Sequence, residues 1–89
     1  MPQIVFAPAI QRHQPCPPLQ VAAGTVRDAL GQAFSAQPQM RDYVLDDQGR
    51  LRRHVAIFID GQVVADRQHL TDAAGENAEI YVVQALSGG

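Results

Sequence analysis

Residues 54–61, HVAIFIDG, restrict the possible folds more than any other segment of the chain. The run is apolar at both alternating sets of positions, which is typical of a central strand. Asp60-Gly61 fits a two-residue type I′ turn, in which both central residues have positive φ. The residues QVVA (62–65) then supply a short returning strand. The segment predicts a β-hairpin whose first strand lies inside a sheet.

A single amphipathic helix is predicted to begin after Thr25. The helix opens on TVRD, a variant of the capping box in which Asp28 lies near the positive end of the helix dipole. Pro38 ends the helical region. MRDYVL (40–45) is predicted to form a short helical turn. The apolar residues of the main helix recur at i, i+3, i+4, i+7 and i+8, forming one stripe: Val26, Ala29, Leu30, Ala33 and Phe34.

Three further strands are predicted from short apolar runs. QIVFA (3–7) begins after Pro2, and QRHQPCPP (11–18) contains three prolines, which favours a loop. LQVAAG (19–24) is predicted to be the strand that returns from this wide hairpin. DDQGR (46–50) is a turn in which Gly49 takes positive φ, and a longer loop leads to the last strand, EIYVVQA (79–85). The order β-β-α-β-β-β predicts an α+β domain, with a mixed four- or five-stranded sheet packed on one main helix.

The composition limits the classes of partner and the compartment. The 89 residues make one domain, and a net charge of −2 argues against nucleic acid as the main partner. No run of about 18 apolar residues and no signal segment is present, so we expect a cytoplasmic protein without a membrane partner. The one cysteine, Cys16, allows no internal disulfide. Seven arginines and no lysine mean that the chain cannot link to its own copies through lysine side chains.

Three features in this order resemble the MoaD/ThiS family of ubiquitin-like sulfur carriers. They are the helix opening TVRDAL, the strand and turn RRHVAIFIDG, and the apolar strand EIYVVQA that runs into LSGG. The resemblance covers roughly residues 19–89, and the first hairpin fits the β-grasp fold of the family. The chain departs from many members at GENAEI (75–80), where they have DGDEV, and at Gln84, where they have proline. These departures leave the pathway open.

The resemblance implies a sulfur carrier whose domain spans residues 1–85, followed by a flexible tail, residues 86–89. A ubiquitin-activating-type enzyme would use ATP to adenylate the carboxylate of Gly89, and a persulfide would convert it to a thiocarboxylate. A sulfur-accepting biosynthetic enzyme would then take the sulfur, and a processing metalloprotease is a further partner. The chain would be a protein cosubstrate, not an enzyme by itself, with no permanently bound cofactor.

Other functions fit the same features. The chain is alternatively the small subunit of molybdopterin synthase, a ubiquitin-like protein modifier joined to substrate lysines, or a β-grasp binding module whose tail is never activated.

The tail residues suit passage through a narrow channel to an enclosed nucleotide site. Gly88 and Gly89 have no Cβ and take extended or positive-φ shapes at little steric cost. With Leu86 and Ser87 they reach at most ~14 Å. Ordering the tail costs ~1–2 kcal/mol per residue, so a docking face on the folded domain must supply binding energy.

Strand alternation predicts that docking face. If Val55, Ile57 and Ile59 point at the helix, Ala56 and Phe58 point to the open side. If Ile80 and Val82 are in the core, Tyr81 and Val83 point outward. The predicted binding residues are therefore Ala56, Phe58, Tyr81 and Val83, with Leu86 beyond them. Coverage of this face by the first hairpin or by a second copy, and an exchange of the two faces, remain open alternatives.

The remaining reactive residues form no recognisable site. His13 and Cys16 supply at most two metal ligands where zinc needs four, so no metal is expected. The basic cluster in RLRR, with Arg50, Arg52 and Arg53, either pairs with acidic residues of an activating enzyme or forms a solvated strand entrance.

Overall fold

The computed structural model describes residues 1–12 and 16–84 and shows an α+β architecture. In chain order the elements are β1 (Gln3–Phe6), a 3-10 turn (Ile10–Arg12), β2 (Leu19–Gln20), β3 (Gly24–Thr25), α1 (Val26–Ala36), α2 (Met40–Val44), β4 (Val55–Ile59), β5 (Gln62–Val63), β6 (Ala73–Ala74) and β7 (Glu79–Gln84). The boundary predicted between domain and tail falls outside the described residues, so it stays a prediction.

Five of the strands form one mixed sheet in the order β2-β1-β7-β4-β5. β1 runs parallel to β7, whereas the other neighbouring pairs are antiparallel. The last strand therefore lies in the middle of the sheet, and β4 has a neighbour on each side. The predicted mixed sheet and the interior position of residues 55–59 are confirmed.

The main helix forms where the apolar stripe predicts it. Thr25 Oγ1 accepts a hydrogen bond from the backbone N–H of Asp28 at 3.1 Å, which satisfies one of the free donors of the first turn. All five stripe residues are buried and join the inward side chains of β1, β4 and β7 in one core. The predicted helical turn is also present, with Met40 and Val44 fully buried. Among the described residues, the helices therefore cover one face of the sheet, and we call the opposite face the open face.

The predicted strand 19–24 is wrong in part. Only Leu19–Gln20 pairs with β1, whereas Gly24–Thr25 pairs with Ala73–Ala74 in a separate two-stranded sheet. Beyond β2, the Ala22 N–H donates to the Gln32 side chain of α1 at 2.9 Å rather than to a strand. The predicted loop 11–18 likewise overlaps the end of the 3-10 turn.

The segment between β5 and β7 is more ordered than the predicted loop. The carbonyl groups of Leu70 and Asp72 accept hydrogen bonds from the backbone N–H groups of Arg27 and Val26, at 3.0 and 2.9 Å. Asp66 accepts from the backbone N–H groups of Gln68 and His69. The first two bonds fasten the segment to the N-terminus of α1, and the two bonds to Asp66 close a turn within the segment.

Candidate functional site

The four side chains predicted to form the docking face lie on the paired strands β4 and β7. Phe58 lies opposite Tyr81, and Ala56 lies opposite Val83. Between these two pairs, Ile57 and Val82 are fully buried on the opposite face. The four predicted residues thus have the orientation that alternation predicts. Their role in docking stays a prediction.

An apolar row crosses the open face from one side of the sheet to the other. Val5 is the parallel partner of Tyr81, and Val63 is the antiparallel partner of Phe58. The row is therefore Val5, Tyr81, Phe58 and Val63, on four successive strands. Tyr81 is 37% exposed and Val63 is 58% exposed. Val5 and Phe58 are half-buried. A contiguous, partly exposed apolar row of this kind is typical of protein interaction surfaces.

Sequence reasoning missed two members of the apolar row. The two-residue turn at Asp60-Gly61 places Ile59 opposite Gln62 and hence Phe58 opposite Val63, so turn geometry could have identified Val63. Val5 had no such local indication, because it joins the row through a parallel pairing between strands that are more than 70 positions apart in the chain.

The turn at Asp60-Gly61 closes one end of this face. Asp60 and Gly61 have φ values of 50° and 86°, which confirms a type I′ geometry. The Asp60 carboxylate accepts from the Glu79 N–H at 2.9 Å, and the Asp60 N–H donates to the Glu79 carbonyl oxygen at 2.9 Å. The turn is therefore fixed to the start of β7. A shallow groove on the open face runs from this turn along Phe58 and Tyr81 to Val83.

The other end of the sheet is where β7 leads toward the sequence LSGG. Val55 lies opposite Gln84, the last described residue. A recess at this end is lined by Asp42, Tyr43, Arg52, His54 and Gln84, among others. The predicted site residues Leu86, Ser87, Gly88 and Gly89 lie outside the described residues.

The cysteine is placed as a core residue. Cys16 is 1% exposed, and its thiol donates to the Pro17 carbonyl oxygen at 3.7 Å. Burial raises the pKa of the Cys16 thiol, which disfavours the reactive thiolate. His13 lies outside the described residues. Over residues 1–12 and 16–84, no three His, Cys, Asp or Glu side chains are grouped to hold a metal ion.

The adjacent aspartates at 46 and 47 belong to a turn. The Asp46 carboxylate accepts from the backbone N–H groups of Gln48 and Arg50, at 2.9 and 3.0 Å. Hydrogen bonding from the Arg50 N–H is the main cause that lowers the pKa of Asp46. Gly49 has a φ of 79°, as predicted for this turn. This carboxylate is therefore engaged in local structure.

Solved structures match the chain over almost its full length, although no protein-family model and no curated protein sequence matches it. SAMP1 from Haloferax volcanii has a TM-score of 0.79 at 23% identity, with 99% of this chain and 98% of that chain covered. CysO in the BexX/CysO complex of Amycolatopsis orientalis has a TM-score of 0.82 at 12% identity, with both chains fully covered. Urm1 from Sulfolobus solfataricus has a TM-score of 0.70 at 14% identity, with 93% and 99% covered.

The fold is the ubiquitin-like β-grasp. The structural neighbours SAMP1, CysO and Urm1 are small ubiquitin-like carrier and modifier proteins of the MoaD/ThiS type. Because the identities are only 12–23%, the match confirms the β-grasp fold that the sequence resemblance implied. The CysO neighbour was solved as a complex with BexX, so at least one protein of this fold binds another protein. None of the helices in the described part of the chain is long and apolar enough to cross a membrane.

Proposed function

We propose that this chain is a sulfur carrier whose terminal Gly89 carries sulfur as a thiocarboxylate for a biosynthetic pathway. The observation that carries the proposal is the joint position of the apolar row and the last strand. Tyr81 belongs to the row and to β7, and β7 continues in sequence to LSGG. A partner that docks on the row thereby contacts the strand that leads in sequence to the residues that would react.

The neighbours support the same kind of function. CysO, SAMP1 and Urm1 share the fold over nearly the whole chain, and they are sulfur-carrier and ubiquitin-like modifier proteins. The described residues show no cluster able to hold a metal ion, and Cys16 is buried in the core. We infer from the likeness to these carrier and modifier proteins that the chain acts as a protein cosubstrate, with the chemistry supplied by partners.

Activation would begin with a partner enzyme that uses ATP. A carboxylate oxygen of Gly89 attacks the α-phosphorus of ATP, and pyrophosphate leaves. A sulfur nucleophile then attacks the acyl carbon, so that a C–S bond forms and the C–O bond to AMP breaks. With hydrosulfide the product is the thiocarboxylate directly. With a persulfide the product is first an acyl disulfide. A thiol then attacks the donor's sulfur in its S–S bond, which forms a new disulfide with the donor and releases the thiocarboxylate.

The proposed partners follow from these steps. A ubiquitin-activating-type adenylating enzyme binds first, and a sulfur-accepting biosynthetic enzyme binds the charged carrier in the cytoplasm. A metalloprotease is the proposed processing enzyme if a longer precursor must be trimmed to Gly89. Both main partners need the tail in an enclosed site, and the apolar row supplies binding energy to offset the cost of ordering the tail.

Purification from the native host followed by intact mass spectrometry tests the proposal. We expect a fraction of the chain to carry one sulfur in place of one oxygen, and fragmentation to locate the sulfur at Gly89. The identity of co-purifying proteins would separate a dedicated carrier from the small subunit of molybdopterin synthase. A chain that works equally well without Gly88-Gly89 would instead be a non-activated binding module.

A ubiquitin-like modifier is the second candidate, because SAMP1 is named as a small archaeal modifier protein and shares the fold. In that case Gly89 would be joined to the lysine amines of other proteins. Isopeptide remnants of the Gly-Gly end on lysines in a host lysate would favour it. Their absence, together with a detected thiocarboxylate, would favour the carrier.

A further inference from the structure

A recess beside the start of β4 brings together three arginines from two distant segments. Arg50 and Arg53 precede β4, whereas Arg67 comes from the segment after β5. Asp46 contributes the one carboxylate of the lining, and Leu51 and Gln68 complete it. We call this site the arginine recess.

One backbone and one side-chain hydrogen bond hold the two segments of the arginine recess together. The Leu51 N–H donates to the Arg67 carbonyl oxygen at 3.1 Å. The Arg67 guanidinium donates in return to the Arg52 carbonyl oxygen at 2.9 Å and is half-buried. The charge of Arg67 is therefore held in place before any partner arrives, which lowers the entropy that binding would cost.

Among residues 1–12 and 16–84, most of the positive charge in the arginine recess has no counter-charge. Within the described residues, the ion pairs are Met1 with Glu76 and Arg50 with Asp46, the latter at 3.4 Å. Arg53 is exposed, and neither Arg53 nor Arg67 has a carboxylate within 4.0 Å among those residues. Two guanidinium groups thus remain available on a protein whose net charge is −2.

The arginine recess lies at the same end of the sheet as the exit of β7. Val55, opposite Gln84, follows Arg53 by two positions. A partner that holds residues 85–89 would therefore lie near these arginines.

We propose that the arginine recess binds an acidic segment of the partner protein that acts on the tail; the identity of that partner rests on the proposed function. A guanidinium group pairs with a carboxylate through two parallel N–H···O bonds, which gives geometric selectivity. A polyphosphate or a nucleic acid fits less well, because Asp46 lies within the recess and the chain as a whole is acidic. The occupant is therefore an acidic protein segment.

A peptide titration tests this proposal without any reaction at Gly89. The probe is a blocked peptide with three glutamates separated by glycines, added at low salt to the full chain labelled with ¹⁵N. We expect shifts at the amides of Arg53, Arg67 and Gln68, and affinity that falls as salt is raised. Arg53→Glu should weaken binding by about fivefold or more. Arg27→Glu, an equal charge change at an exposed residue of α1, should alter it by less than about twofold.

Three results would overturn the proposal: equal loss in Arg53→Glu and Arg27→Glu, equal binding of the glutamine version of the peptide, or inorganic phosphate binding as tightly as the peptide. Unchanged shifts elsewhere in the spectrum would show that each variant is folded. The titration does not involve the tail, so its outcome is independent of whether Gly89 carries sulfur. If the host adenylating enzyme did not bind the chain at all, the proposed function would fail. The titration would still show whether the recess binds an acidic peptide.

Discussion

Phe58 and Tyr81 lie opposite each other on β4 and β7, on the face of the sheet that α1 leaves open. Their chain neighbours Ile57 and Val82 are also opposite each other, but they are fully buried on the helix side. The same two strands thus supply the core with one set of side chains and the open face with the other. This separation lets mutations distinguish binding from folding.

Truncation of Tyr81 should impair binding far more than stability. Tyr81→Ala removes the middle of the apolar row, so affinity for the host adenylating enzyme should fall by about tenfold or more, roughly 1.4 kcal/mol. The free energy of unfolding should fall by about 1 kcal/mol, since Tyr81 packs mainly on its cross-strand neighbours. Calorimetric titration measures the first quantity and urea unfolding the second.

Gln39→Ala, a substitution at an exposed residue before α2, is the control. Equal affinities for the two variants would argue against docking on this face.

Truncation of Ile57 should show the opposite pattern. Ile57→Ala leaves a cavity in the core beneath the apolar row and should lower the free energy of unfolding by about 2–5 kcal/mol. Ile57→Val, which removes one methylene, should cost about 0.5–1.5 kcal/mol. Urea unfolding at neutral pH measures both values. A loss below about 0.5 kcal/mol for the alanine variant would contradict the assignment of Ile57 to the core.

The cap of α1 gives a third test. Thr25→Ala removes the oxygen that accepts from the Asp28 N–H and should cost about 1 kcal/mol of unfolding free energy. Thr25→Ser keeps that oxygen and should be nearly neutral. Thermal unfolding of the two variants side by side checks the difference. If the serine variant lost as much stability as the alanine variant, the hydroxyl would not be the source of the effect.

The free energy of unfolding should fall at acidic pH because Asp66 becomes protonated. Hydrogen bonding, chiefly from the His69 backbone N–H and then from the Thr71 hydroxyl, lowers the pKa of Asp66 from 3.8 to about 2. Because the folded state binds this proton less tightly than the unfolded state, the stabilisation is fully present above about pH 4. It should be lost as pH falls from about 4 through about 2.

Urea unfolding between pH 7 and pH 2 measures this dependence. Asp66→Asn should show a shallower loss of stability with acid than the unmodified chain. Asp47→Asn, in an exposed turn position, is the matched control and should keep the steep loss. Parallel curves for Asp66→Asn and the unmodified chain would contradict the contribution of this carboxylate.

The elements that local sequence determines were predicted well. The helix follows from the apolar stripe between Thr25 and Pro38, and the hairpin follows from Asp60-Gly61, whose φ values are both positive. Alternation along residues 55–59 and 79–84 sorted the side chains into the two sets that the sheet separates, and the burial of Val55, Ile57, Ile80 and Val82 in the structure decides which set faces the helix.

The parts that depend on distant contacts were missed. The strands β3 and β6 have two residues each, too few for a periodic pattern, and they form because the chain crosses above the N-terminus of α1. Leu70 is fully buried and has a φ of 56°. A positive φ is uncommon for residues other than glycine, so a leucine in the sequence does not indicate it. Arg67 reaches the basic cluster before β4 through hydrogen bonds to residues 51 and 52, which sequence spacing could not indicate.

The central claim is best tested by reconstituting the reaction at the tail. The chain is incubated with ATP, a sulfide source and the host adenylating enzyme, and its intact mass is then measured. We predict a shift equal to one sulfur replacing one oxygen, which requires ATP and is absent when Gly89 is deleted. An unchanged mass, with an enzyme shown to be active on another carrier, would contradict the assignment of this chain as a sulfur carrier.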